Sequence, residues 1–314
     1  MRIFFFVFNF TLGISIFLLG LSMLGNALSS ILGFRLRTFL TRFTSTKGCS
    51  LLAGLAVTGL VQSSSVVNAT MVVLVDSGVL SIHQAVAVML GANIGTTVTA
   101  QMIALPMAKL AIPMAFGGLI LIFLAKRPVL GRAVFSLGAV FFGLDFTAAA
   151  AAPLLRWPPV ERILLELTGT PPLAVFAGVV LTVLVQSSSA VTGLAVGLAG
   201  RNLLTLPAAV GIALGSNIGT VFTTLLASVG RSRGSKAAAY ADFFFNLGGV
   251  LLILPLFSFF VRVTALLSVS PARQVAHAHT LFNCITALAA LPLLNNLANL
   301  AWAWAGIRLR NKNR

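Results

Sequence analysis

Acidic residues are almost missing from this chain: five aspartates and glutamates stand among 314 residues, and all charged residues together make up 8%. A soluble domain carries about 25% charged side chains. That shortage, with 58% hydrophobic residues and a mean hydropathy of +1.04, excludes an ordinary water-soluble globule and marks an integral membrane protein. Histidine is scarce too, at three, and no HExxH, GxSxG or grouped metal ligands occur, which argues against a membrane-embedded enzyme. The two cysteines, Cys49 and Cys284, are too few for a disulfide framework and lack CxxC spacing, so they read as small apolar residues.

Cations are present in excess, 21 Lys and Arg for a formal net charge of +16. They sit in short clusters between apolar runs and so read as topology signals, not as a nucleic-acid surface. The long runs point to an all-α membrane protein and not a barrel. Spans are expected over about 4–33, 107–125, 131–152, 238–262 and 279–304, with 4–33 a retained first helix and not a signal peptide. Runs at 50–76 and 173–199 are interrupted by Gln62 to Ser65 and Gln186 to Ser189; those at 84–105 and 206–229 are interrupted around Asn93 and Asn217. The proline-rich stretch 153–172 reads as a loop between halves. A first repeat over 1–127, a second over 128–263 and a last helix with a basic tail over 264–314 follow.

The interruptions recur in register. Val61-Gln62-Ser63-Ser64-Ser65 precedes Gly91-Ala92-Asn93-Ile94-Gly95-Thr96 by the same interval as Val185-Gln186-Ser187-Ser188-Ser189 precedes Gly215-Ser216-Asn217-Ile218-Gly219-Thr220, every residue displaced by 124 positions. Such an internal duplication of polar clusters in an apolar chain marks an inverted-repeat transporter: about seven transmembrane helices plus two re-entrant hairpins, tipped by Gln-Ser-Ser-Ser. With three crossings per repeat the second repeat is inverted. Under this topology 14 cations, in 35–47, 126–132, 231–236 and 308–314, face 7 on the other side, which puts the C-terminus in the cytoplasm; counting the interrupted runs as full spans gives the same ratio.

Broken helices expose backbone groups that protein, ions or substrate must satisfy. Gly91, Gly95, Gly215 and Gly219 are expected to bend the chain and admit ligands. One half-helix end suits an anion; the other suits a small hard cation. Gln62, Ser63, Ser64, Ser65, Gln186, Ser187, Ser188 and Ser189 offer groups that both donate and accept, as do Asn93 and Asn217. Thr96, Thr99, Thr220 and Thr223 extend the polar face, and sodium ligands are expected among Gln62, Ser63, Ser64, Gln186, Ser187, Ser188, Thr220 and Thr223. No cation side chain is aimed at the site, so a bound anion needs Na⁺ as its counter-charge; Na⁺ is then a coupling ion, with no other cofactor. Small residues also line tight helix contacts, the competing structural account of these clusters. Two acids lie in apolar segments, Asp145 and Asp242. Asp242 and Asn246, and likewise His279 and Asn283, form a matching polar pattern that supports the site, whereas His83 and His277 read as loop or helix-end residues.

These motifs, with Asp242-Phe243-Phe244-Phe245-Asn246 and Ala278-His279-Thr280-Leu281-Phe282-Asn283, closely resemble the type II sodium–phosphate cotransporter family in its bacterial form, over most of residues 10–304. The resemblance implies symport of inorganic phosphate with Na⁺ by alternating access, with both Gln-Ser-Ser-Ser hairpins meeting near mid-membrane as the cradle and Asn93, Thr96, Asn217 and Thr220 beside it. It implies a multi-pass protein of the bacterial inner membrane, with room for a homodimer. Many bacterial relatives carry a C-terminal PhoU-like helical domain; the chain stops at Arg314, so that regulatory layer is expected to be absent or on a separate PhoU-like regulator. Some animal members place an aspartate shortly after one Asn-Ile-Gly-Thr, where this chain has Ser228-Val229-Gly230-Arg231, so their sodium stoichiometry and electrogenicity are not carried over. Alternatives of other kinds are a carrier of sulfate, arsenate or phosphonate, and a membrane scaffold or regulatory subunit.

Overall fold

The computed structural model describes the backbone of residues 2–32, 36–155 and 157–310, and their side chains except at 2–5, 31, 32, 36, 37, 41 and 307–310. Arg35, Arg156, Lys312 and Arg314, which entered the charge-based topology, lie outside the described residues. Among the described residues all regular structure is helical. The helices are α1 (Arg2–Leu32), α2 (Leu36–Arg42), α3 (Lys47–Val61), α4 (Ser64–Asp76), α5 (Ile82–Ile103), α6 (Ala111–Phe123), α7 (Pro128–Leu155) and α8 (Pro158–Gly169). They continue as α9 (Pro171–Val185), α10 (Ser188–Gly200), α11 (Leu206–Ala227), α12 (Arg233–Ile253), α13 (Phe257–Leu266), α14 (Pro271–Ala290) and α15 (Leu294–Arg310). Among the described residues five rods are long and apolar enough to cross a membrane, or seven if each sharply bent pair is one span. The chain is an all-α, multi-pass membrane protein.

Three expectations are corrected. The glycine–asparagine clusters do not break their helices: α5 and α11 are continuous, 22 residues each. Their glycines serve close approach instead. A Cβ on Gly91 would stand 1.8 Å from the Leu51 carbonyl oxygen, and one on Gly215 would stand 1.9 Å from that of Val175. Stretch 153–172 is not simply a loop. Pro158 and Pro159 open α8 where no backbone donor is needed, and α8 meets α9 at 113°. The last span is two helices, α14 and α15, bent by 85° at Leu291-Pro292-Leu293, where proline cannot continue the hydrogen-bond ladder.

The glycine contacts also give direction. Gly91 faces Leu51 and Gly95 faces Leu55 and Thr58, so α3 and α5 run parallel; Gly215 on Val175 and Gly219 on Thr182 make α9 and α11 parallel in the same way. A chain that leaves α3 and enters α5 in the same direction has to come back in between, and α4 is the return. Gln84 Nε2 at the start of α5 donates to the Thr44 carbonyl just before α3, at 2.9 Å, which closes the base of this first hairpin. The second closes alike, Thr168 Oγ1 lying 2.6 Å from Thr205 Oγ1. Both runs are therefore hairpins with their turns at Gln62-Ser63 and Gln186-Ser187.

The bases of the two hairpins lie at opposite ends of α5. The first has its base at the N-terminal end of α5. The return arm of the second, α10, ends at Gly200 and Arg201 in a cavity of about 200 Å³ shared with Ile103 to Pro106 at the C-terminal end of α5. Helices α1 and α7, whose sequences echo one another, pack antiparallel: Gly13 meets Thr147, Gly143 meets Phe17 and Gly20 meets Val140. Each return arm packs on the long helix of the other half, α4 on α11 and α10 on α5.

The glycine contacts generate a test. Gly91→Ala and Gly215→Ala force a methyl into a neighbouring backbone carbonyl that cannot turn aside, a cost of about 3 kcal/mol or more. Gly117 on α6 has nothing within 4 Å of a Cβ, so Gly117→Ala is expected to be neutral or stabilising by about 0.5–1 kcal/mol. Melting temperatures of the three variants in detergent check the contrast, and equal melting would overturn it.

Candidate functional site

Each hairpin tip is built by one unusual cap. Gln62 ends α3 in the left-handed region, at φ 57° and ψ 25°; Gln186 ends α9 at φ 57° and ψ 27°. Glycine is the ordinary residue at such a position, because a side chain there costs about 1 kcal/mol or more. Their backbone N–H groups donate to the carbonyls of Thr58 and Thr182, each at 2.7 Å. The next residue then caps the return arm: Ser63 and Ser187 adopt φ −149°, and their hydroxyls accept from the N–H groups of Val66 (3.4 Å) and Ala190 (3.2 Å). Two residues thus end one helix and start another, twice, with the same dihedral angles.

The turn sets two kinds of helix end side by side. The C-terminal carbonyls of α3 and α9 point into it with the negative ends of their dipoles, and the first N–H groups of α4 and α10 point in with the positive ends. Ser64 and Ser188 are buried beside the turns; Ser65 and Ser189 are half-buried. The two glutamines differ in one respect. The Gln62 amide is tied, Nε2 donating to the Gly59 carbonyl and Oε1 accepting from Thr99 Oγ1 at 2.6 Å. Gln186 is exposed and makes no side-chain hydrogen bond among the described residues, while Thr223, the counterpart of Thr99, donates to the Thr220 carbonyl at 2.8 Å.

Behind the tips a buried polar knot joins the halves. Asp242 on α12 is 1% exposed. Its Oδ2 accepts from Asn68 Nδ2 on α4 (3.1 Å) and Thr224 Oγ1 on α11 (2.9 Å), and its Oδ1 accepts from Asn246 Nδ2 (3.0 Å). Asn246 Oδ1 in turn accepts from Asn93 Nδ2 at 3.2 Å. The other asparagine has its own support: His279 Nε2 lies 3.4 Å from Asn217 Oδ1, and Asn283 Nδ2 donates to the His279 carbonyl at 2.8 Å. Asp242, Asn246, His279 and Asn283, which the sequence offered as supporting residues, are all buried here and bonded as described. Thr96 and Thr220 instead bond their own helices, at the carbonyls of Ala92 (3.1 Å) and Ser216 (2.9 Å). Asp145 is an anchor at the end of the bundle, ion-paired with Arg201. His277 stands inside α14 and not in a loop, its Nδ1 3.3 Å from Gln101 Nε2.

Sequence reading passed over Asn68, Thr224 and the pair Thr192–Ser216, whose hydroxyls lie 2.9 Å apart. Asn68 and Thr192 each follow a tip glutamine by six residues, a repeat signal that was there to be used; Thr224 has Ala100 as its counterpart, so the duplication could not reveal it.

Residues 16–149 and 155–291 match the family model described as Na⁺/Pi-cotransporter, in two stretches that each contain one tip. The Bacillus subtilis (strain 168) protein YqeW is 33% identical over 289 residues, covering 91% of this chain and 94% of that protein. The Putative inorganic phosphate export protein YjbB of Escherichia coli O157:H7 is 26% identical over 294 residues; the match covers 92% of this chain and 54% of that protein, so the chain spans about half its length. The human Sodium-dependent phosphate transport protein 2B is 40% identical over 88 residues, 27% of this chain and 13% of that protein. No solved structure matches. With a family model matched over both halves of the chain and a third of the aligned residues shared with a relative covered almost end to end, the chain belongs to the Na⁺/Pi-cotransporter family.

Proposed function

We propose that this protein is a secondary transporter that moves inorganic phosphate together with Na⁺ by alternating access, with no enzymatic step. The observation that carries the reading is the paired left-handed glutamine cap. Glycine would make the same turn without strain, so a glutamine at φ 57° in both tips is a cost tolerated for its amide. The tip offers free N–H groups and hydroxyls for an oxyanion, and carbonyl-rich helix ends for a cation, within a few residues of each other. Every group at the tip is neutral, so anion and cation each lower the cost of stripping water from the other. Coupling is the consequence.

In this reading Gln62, Ser63, Ser64 and Ser65 share the cradle with Gln186, Ser187, Ser188 and Ser189, held in place by Asn93, Asn217 and the Asp242 knot. The two hairpins are re-entrant and inverted across the plasma membrane, supported by their bases lying at opposite ends of α5. The clustered cations support a cytoplasmic side for Arg231, Arg233 and the C-terminus. Family and relatives' names support phosphate as the substrate. The export named for the Escherichia coli relative is compatible, because a coupled carrier runs in the direction its gradients set. A homodimer and a separate PhoU-like regulator are consistent with this assignment.

Purified protein in liposomes, given radiolabelled phosphate under an inward Na⁺ gradient, is expected to accumulate it; K⁺ in place of Na⁺ is expected to abolish uptake. Gln62→Ala and Gln186→Ala each lower the initial rate by about tenfold or more, the loss of one hydrogen bond to a charged ligand, with the melting temperature unchanged in Gln186→Ala and lowered in Gln62→Ala, which also loses its bonds to Gly59 and Thr99. Uptake of labelled sulfate that unlabelled phosphate fails to inhibit would redirect the assignment to another oxyanion. For the knot, Asp242→Leu leaves the donors of Asn68, Thr224 and Asn246 without their acceptor, at about 1–3 kcal/mol for each buried group. A large drop in melting temperature is expected, and a wild-type melting curve would refute the knot's structural role.

A further inference from the structure

A hydroxyl recurs in both halves with nothing to bond. Thr58 and Thr182 lie one helical turn before Gln62 and Gln186 on the same helix face, 0% and 1% exposed. Neither Oγ1 has a hydrogen-bond partner among the described residues. Threonines in helices ordinarily bond the carbonyl one turn back, as Thr96, Thr147 and Thr286 do here. Two buried hydroxyls that both forgo that bond, at equivalent positions, are unusual, since a buried polar group without a partner is costly.

Their surroundings match as well. Parallel packing sets residues of α3 and α5 opposite each other as rungs. A Cβ on Gly95 would meet Thr58 Cβ at 2.7 Å, and on the next rung Gln62 Oε1 accepts from Thr99 Oγ1. In the second half a Cβ on Gly219 would meet Thr182 Cβ at 2.5 Å and its methyl at 3.0 Å; Gln186 and Thr223 hold the positions equivalent to Gln62 and Thr99, with Thr223 turned to the Thr220 carbonyl. Each half therefore places a threonine, a glutamine and a second threonine in the same register along one seam, with the glutamine–threonine bond formed in the first half. That seam ends at the C-terminus of α3 or α9, where the negative dipole end favours a cation.

We propose that Thr58 and Thr182 are cation ligands that complete two equivalent sodium sites, one in each half. The first takes Thr58 Oγ1, Gln62 Oε1 and Thr99 Oγ1; the second takes Thr182 Oγ1, Gln186 Oε1 and Thr223 Oγ1. The proposal rests on the sodium-coupled reading above and adds two ligands and a count of sites to it. All six are neutral, hard oxygen donors. Without a carboxylate in either set, a divalent ion would carry too much uncompensated charge, whereas a monovalent hard cation suits them. The negative charge that balances the two ions is the phosphate, bound across the same two-residue turns at the N-termini of α4 and α10.

The decisive variants are Thr58→Val and Thr182→Val, which keep the side-chain shape and remove the hydroxyl. Sodium activation of phosphate uptake is read in liposomes, and melting temperature is read with and without Na⁺. Each variant is expected to raise the half-saturating Na⁺ concentration about tenfold, as loss of one bond to an ion does. Each is also expected to reduce the Na⁺-induced rise in melting temperature. In Na⁺-free buffer the variants melt at or above the wild-type temperature, because an unpaired buried hydroxyl has gone. Sodium activation within twofold of wild type in both variants would overturn the proposal. Thr58→Ser and Thr182→Ser keep the hydroxyl and are expected to keep sodium activation; a loss as large as with valine would show that the methyl, not the oxygen, matters. A wild type whose uptake and melting both ignore Na⁺ would sink the sodium-coupled reading itself, and that result is read before any variant.

Discussion

Backbone-to-backbone contact of α3 with α5, and of α9 with α11, is the constraint from which the rest of the architecture follows. Gly54 and Gly91 on one seam, and Gly178 and Gly215 on the other, leave no room for even a methyl group between the helices. In hydrocarbon, where apolar side chains gain nothing by leaving lipid, such close packing is a main source of helix association. It fixes α3 parallel to α5 and α9 parallel to α11. The intervening chain has to turn back, and the turn falls at Gln62-Ser63 and Gln186-Ser187. A site made of helix ends exists because the long helices beside it are unbroken.

Scarcity of acid makes the few carboxylates informative. Asp242 sits in the knot where α4, α11 and α12 meet, with only neutral donors around it. Asp76, at the end of the first return arm, pairs with Arg231 (3.1 Å) and accepts from the Ser232 N–H and the Ser235 hydroxyl. Asp145 pairs with Arg201 at the end of the second return arm. Three of the five acids therefore tie the return arms down, one behind the tips and one at each base. The tips themselves carry no formal charge, which leaves substrate and ions to balance one another there.

Much of the site could be read from residue order because the duplication is exact in register. Gln62 and Gln186, the serines after them, Asn93 and Asn217 all reappear as paired features in three dimensions. The supporting pattern of Asp242 with Asn246 and His279 with Asn283 was legible too, since two polar residues one turn apart share a helix face. Unpaired features were not legible. Thr224 reaches Asp242 from another helix, and the tie between Gln62 and Thr99 has no formed equivalent at Gln186 and Thr223. Glycine was misread for a related reason: next to polar residues it suggests a bend, whereas only the neighbouring helix shows that it makes room.

By itself the sequence determined the solvent this chain lives in, its helical class, its duplication and the residues at both tips, because composition, span length and exact repetition are properties of residue order. Tertiary structure decided that the interrupted runs are hairpins, that α5 and α11 are straight, and that Asp242 binds the halves together. Those outcomes depend on which surfaces meet between segments far apart in the chain, 174 residues for Asn68 and Asp242, and periodicity within one helix carries no information about its partner.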